Sequence, residues 1–184
     1  DFWLLDGFTY LVVLTSPHFC AAIALLLVIF LLLLYRPGGP SALDGILAVL
    51  ASLALGLIHP YTLLIVDLLP VLYWGVEGLR TRRVAWRGLA VVAAMGLTQA
   101  PLLAYDLWVF RTQPIFAGWS VQNVTLSPPP RIYLWGYGVL LVLGTVGTVA
   151  WARWGGQGVA FPLLWIGLVA VLIHLPWNLQ RRFL

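Results

Sequence analysis

The chain offers few residues for chemistry: six carboxylates, ten arginines, three histidines and one cysteine in 184 positions. Asp67 draws attention first because it interrupts an apolar run. An ionisable group inside such a run is costly and usually faces a helix-bundle interior or a water-filled cavity. It can serve a ligand or stand in a structural ion pair or hydrogen-bonded acid, and both readings stay open. Asp106 follows Pro101 by about one helical turn. The missing N–H of that proline leaves the Leu97 carbonyl free for another partner, so Asp106 can cap the interface or take part in catalysis, for which Asp67 and Asp106 are the two candidates.

His18, His59 and His174 could ligate a metal, relay protons or bind a magnesium tetrapyrrole. No His-x-x-His, His-x-x-x-His or Glu-x-x-His spacing joins them, so each reads as a lone hydrogen-bonding histidine. No metal set is expected, and no cofactor is identified. His59 and His174 remain candidates for contact with a polar substrate. So does the stretch from Gln122 and Asn123 through Ser127 to Arg131, which combines amides and hydroxyls with a stiff triple proline and can equally be a solvated connector. Arg181 and Arg182 are adjacent guanidinium groups suited to a phosphate or pyrophosphate, or to anchoring at lipid headgroups.

The elements that must position these residues are set by composition. Hydrophobic residues make up 62% of the chain and charged residues 9%, whereas soluble domains carry about a quarter charged residues. So few charges cannot build a water-facing surface, and the expected class is an all-α polytopic transmembrane helix bundle. Every basic residue is Arg, and the arginines stand singly or in short groups between apolar spans. That pattern sets membrane topology and argues against nucleic acid as a partner. Cys20 has no disulfide partner.

About six spans are expected, in one bundle over residues 1–184: about Pro17 to Tyr35, Gly45 to Ile58, Tyr61 to Leu79, Gly88 to Phe110, Ile132 to Trp151 and Val159 to Pro176. Ser41 and Asp44 form a capping-box pattern before the second. His59-Pro60 divides a run too long for one crossing and is read as a tight reversal. The cluster Arg80, Arg82, Arg83 and Arg87 places its loop in the cytoplasm, with Arg36 and Arg153 on the same side. Arg111, Arg131, Arg181 and Arg182 then lie outside, as do the three histidines. Ala48, Ser52 and Gly56, and separately Gly144 and Thr148, recur at helical spacing and suit close helix packing. The ten tryptophans and seven tyrosines suit interfacial belts. A first residue other than Met, and a stop two residues after Arg182, lead us to expect a piece of a longer chain.

Several short motifs carry a resemblance. They are Ser16-Pro17-His18-Phe19 before a Leu-rich span, His59-Pro60-Tyr61 between helices, the Gln122-Asn123 to Pro130 loop, and Leu175-Pro176 with Gln180-Arg181-Arg182-Phe183. Together they resemble multi-pass bacterial membrane proteins related to the GT-C glycosyltransferases, the superfamily of protein mannosyltransferases. The resemblance implies a bacterial inner-membrane protein that takes a sugar from a polyprenyl-phosphate carrier at the outer face. It also implies a catalytic pair of adjacent carboxylates in a first large outer loop. No adjacent acidic pair occurs here, so that loop would precede Asp1 or the activity would be absent. The expectation is therefore a GT-C-like segment in which Asp67 or Asp106 builds the cavity and Arg181 and Arg182 hold the phosphate. The alternative is a non-enzymatic subunit of a larger membrane complex that contacts pigments or other membrane subunits. Membrane lipid is a partner in either case.

Overall fold

The computed structural model describes residues 17–36, 38–122, 126–153 and 159–174. Among these residues the structure is all-α, with seven helices: α1 Pro17–Leu34, α2 Ala42–Ile58, α3 Leu63–Thr81, α4 Trp86–Thr112, α5 Pro114–Gln122, α6 Pro130–Arg153 and α7 Ala160–Leu172. Helices α1, α4, α6 and α3 with its preceding turn are long and apolar enough to cross a membrane. Helices α2 and α7 are shorter apolar helices of 17 and 13 residues. Proline occupies the first position of α1, α5 and α6, where its missing N–H is no loss and its φ is already helical.

The α1–α2 turn is held by a compact polar knot. The Ser41 amide and hydroxyl donate to Asp44 Oδ2 at 2.9 and 2.6 Å, and the Asp44 amide donates back to the Ser41 hydroxyl at 3.2 Å. This is the capping box that the spacing predicted. Arg36 Nε reaches the same carboxylate oxygen at 2.7 Å. Ser41, through its hydroxyl and then its amide, holds the Asp44 carboxyl below the usual carboxylate range, with Arg36 adding to the effect against the opposing pull of burial. Gly38 and Gly39 adopt φ of 90° and 96°, a region open to glycine without a Cβ penalty.

Helix directions follow from points of close approach. A Cβ on Gly45 would lie 3.0 Å from Val91, and one on Gly56 would lie 2.8 Å from Leu102. Both pairs advance by the same number of residues, so α2 and α4 run parallel. Trp74 packs on Gly88 and Asp67 neighbours Gln99, so α3 runs antiparallel to α4. It follows that α3 is also antiparallel to α2, and His59-Pro60 is a reversal. There the His59 amide closes the last turn of α2 on the Leu55 carbonyl at 2.7 Å, and Pro60–Thr62 forms a single 3-10 turn. Phe19 meets His59 across the open end of the α1–α2 hairpin.

An aromatic cluster joins α1, α3 and α7. Phe161 packs edge-on against Phe30 and Tyr73 at 5.1 and 5.8 Å, and Trp165 lies 5.2 Å from Phe30. Trp165 and Trp74 thus pack between helices, which departs from the expected belts of headgroup-level aromatics. The α6–α7 pair is antiparallel, because Tyr133 near the start of α6 meets His174 just past the end of α7.

Two expectations need correction. The residues between the expected spans Gly88 to Phe110 and Ile132 to Trp151, expected as a polar outer loop, carry helix α5 over Pro114–Gln122, tied back to α4 by Phe116 on Phe110. The expected packing ridge at Gly144 and Thr148 meets no neighbouring helix among the described residues: a Cβ at Gly144 would meet nothing within 4 Å, and α6 has no buried residue. Most of its apolar side chains, Tyr133 apart, face outward, which a lipid environment allows and water does not.

The Trp74 contact gives a direct test of the α3–α4 packing. A Cβ at Gly88 would clash with the Trp74 ring, whereas one at Gly96 meets nothing within 4 Å. Gly88→Ala should therefore destabilise the protein by about 1–3 kcal/mol through overpacking. Gly96→Ala should leave stability equal or slightly improved. Unfolding in one detergent, followed by circular dichroism, compares the two.

Candidate functional site

Helices α2, α3 and α4 bring polar side chains together in the half of the bundle that holds the His59-Pro60 turn. Asp67 lies seven residues beyond Pro60, about 10 Å along the helix. Its Oδ1 is buried and makes no hydrogen bond among the described residues. Gln99 on α4 is fully buried, and both its amide oxygen and its amide nitrogen lack a partner there. The two side chains are neighbours, but the Gln99 amide stands outside hydrogen-bonding geometry with the carboxyl. Buried polar groups are nearly always satisfied, so an orphaned carboxyl and amide side by side call for a functional explanation.

Proline stands just beyond each of them, Pro70 in α3 and Pro101 in α4, and both helices continue through it. Each ring removes one backbone N–H, from the Val66 and Leu97 carbonyls respectively. Val66 is fully buried, whereas Leu97 is 76% exposed. The carbonyl freed by Pro101 therefore lies on the outward side of α4, and only the one freed by Pro70 belongs to the bundle interior.

Asp106 follows Gln99 by seven residues on α4, which is two turns further along the same helix face. The parallel register of α2 and α4 sets His59 level with it. His59 is buried and already engaged: Nδ1 lies 2.6 Å from the Thr62 hydroxyl, and the ring packs against Phe19 and Tyr61. Its surroundings suit a turn-stabilising residue. His174 is exposed, and its Nδ1 lies 2.8 Å from the Ala170 carbonyl. In the neutral ring this proton is donated, which leaves Nε2 as an acceptor. Tyr133, which meets His174 edge-on and stacks on Tyr137, has a buried hydroxyl with no partner among the described residues.

The structure thus brings Asp67 beside Gln99, with Asp106 above them, and sets His174 with Tyr133 on the α6–α7 pair. Gln122 ends α5. Asn123, Arg181 and Arg182 lie outside the described residues. Sequence reasoning missed Gln99 and Tyr133. The signal for Gln99 was an amide in mid-span between Met95 and Pro101, where polar residues are as informative as charged ones. Tyr133 was absorbed into the count of interfacial aromatics. Among the described residues no three of His, Cys, Asp or Glu gather into a metal-binding group. Comparison with family models, curated proteins and solved structures returns no match.

The orphaned amide predicts an unusual mutational sign. Gln99→Met keeps length and removes two buried unsatisfied atoms, each worth about 1–3 kcal/mol of desolvation. The variant should unfold at a higher temperature than the wild type in ligand-free detergent solution. A lower unfolding temperature would mean that the amide is satisfied in the folded protein.

Proposed function

We propose that this bundle is the membrane segment of a GT-C-like glycosyltransferase, with a polyprenyl-phosphate-linked sugar as the ligand and the bacterial inner membrane as its location. The observation that carries the reading is the Asp67–Gln99 pair: a half-buried carboxyl with one buried oxygen beside a buried amide, both unsatisfied among the described residues, in the half of the bundle opposite the arginine-rich turns. Arg36, Arg80, Arg82, Arg83, Arg87 and Arg153 stand at one end of the helices, and Arg111 and Arg131 at the other. With the denser group inside, the polar pair lies in the outer half of the membrane, the side on which such carriers present their sugars.

Asp67 and Gln99 offer acceptors and donors for sugar hydroxyls, and Arg181 and Arg182 supply charge for the phosphate. Glycosyl transfer breaks the bond between the anomeric carbon and the phosphate oxygen, forms one to the acceptor oxygen, and passes the acceptor's proton to a base. Asp67 lies too deep in α3 for that last task. It is a binding residue in this proposal.

A specific observation supports a second reading, a non-enzymatic subunit of a larger membrane complex. Helix α6 offers 24 residues with none buried, a face large enough for a neighbouring subunit.

Binding separates the two. Full-length protein should bind a polyprenyl-phosphate sugar saturably. Asp67→Asn and Gln99→Met should each weaken binding by about tenfold or more, the worth of a hydrogen bond in a desolvated site. The Arg181→Lys/Arg182→Lys double variant should weaken it too, because Lys keeps charge and loses the bidentate fork. Absence of saturable binding, or equal affinity in all variants at matched folding, would favour the subunit.

A further inference from the structure

A second feature lies at the opposite end of the bundle and is independent of the polar pair. Between α2 and α4, next to the Arg36–Asp44 knot, runs a groove of about 830 Å³. It exists because small residues face each other there: Ala42 and Gly45 on α2, Ala90 and Ala94 on α4. Its remaining wall is mostly aliphatic, including Ile46 and Leu50, which are 59% and 57% exposed. Arg87 stands at the polar mouth, its Cβ beside the Gly39 turn.

We infer that this groove binds an anionic phospholipid, with one acyl chain along α2 and α4 and the headgroup phosphate on Arg87. Charge supports the anionic headgroup. Asp44 is engaged by Arg36 and Glu77 by Arg80, so among the described residues Arg87 has no carboxylate partner, and Arg82 and Arg83 add positive charge at the same end. Dimensions support the acyl chain. Ser41 to Leu50 spans about 14 Å of helix, close to the depth of one leaflet in a hydrocarbon core of about 30 Å. The groove therefore starts at the headgroup level and ends near the bilayer midplane. Basic pockets between helices at a membrane face are a known mode of lipid headgroup recognition.

The test is native mass spectrometry of the full-length protein titrated with phosphatidylglycerol or phosphatidylcholine of matched acyl chains. One phosphatidylglycerol should bind at least about fivefold more tightly than phosphatidylcholine, the preference expected from one arginine at an anionic headgroup. Arg87→Gln should abolish that preference, and Arg83→Gln, outside the groove, should retain it. Ala90→Phe, at an exposed position, should fill the groove and weaken both lipids; Ile46→Trp replaces it if that variant misfolds. Glycerol 3-phosphate should not displace the lipid. Equal binding of the two lipids, an unchanged preference in Arg87→Gln, full displacement by glycerol 3-phosphate, or undiminished binding in the filled variant would overturn the assignment.

Discussion

The close parallel approach of α2 and α4 is the contact on which the rest of the bundle depends. Gly45 and Gly56 leave room for Val91 and Leu102, and Ala48 and Ser52 on the intervening strip are fully buried. Association of helices in lipid draws on van der Waals packing because there is no water to expel, so small residues that admit a neighbouring backbone matter most. Once α4 lies parallel to α2, the helix between them in sequence must run the other way. Its reversal at His59-Pro60 then sets Asp67 beside Gln99. The same seam opens, near its arginine-rich end, into the apolar groove that ends at Arg87.

Polar chemistry divides between the two ends according to how well each group is satisfied. At the arginine-rich end, Asp44 Oδ2 accepts from Ser41 and Arg36 and closes a turn. Toward the other end, the buried Oδ1 of Asp67 and the buried Gln99 amide have no such partners among the described residues. Desolvating such groups is unfavourable in any low-dielectric interior and more so in lipid, where no water is at hand. The Asp44 carboxylate closes a cap, whereas the buried Asp67 oxygen lies beside an unsatisfied amide with no partner among the described residues. That contrast supports the placement of a ligand at the Asp67 level rather than at the turn.

Much of the helical order was legible in the sequence because its signals are local. The apolar runs set the helices to within a few residues, Ser41 and Asp44 announced the α2 cap, and His59-Pro60 marked the reversal, since proline and run length act on the chain directly. The α2 ridge of small residues was also legible, but its partner was not: Val91 and Leu102 are ordinary aliphatic residues until α4 is placed. The same limit applied to the site. Asp67 stood out by its charge, whereas Gln99 gained meaning only from burial and from the helix opposite. The ridge on α6 misled because periodicity shows that a face could pack and says nothing about whether a neighbour arrives.

The central claim is a membrane bundle whose helices alternate direction, with the arginine-rich turns on one side and the α4–α5 junction on the other. Thr81 and Gln113 are exposed residues at these two ends, and Cys20 is the chain's single cysteine. In a Cys20→Ser background, a membrane-impermeant maleimide applied to intact cells should label Gln113→Cys at once, and Thr81→Cys only after permeabilisation. Labelling of both from the same side would contradict the alternating bundle, and labelling of Thr81→Cys alone from outside would invert it.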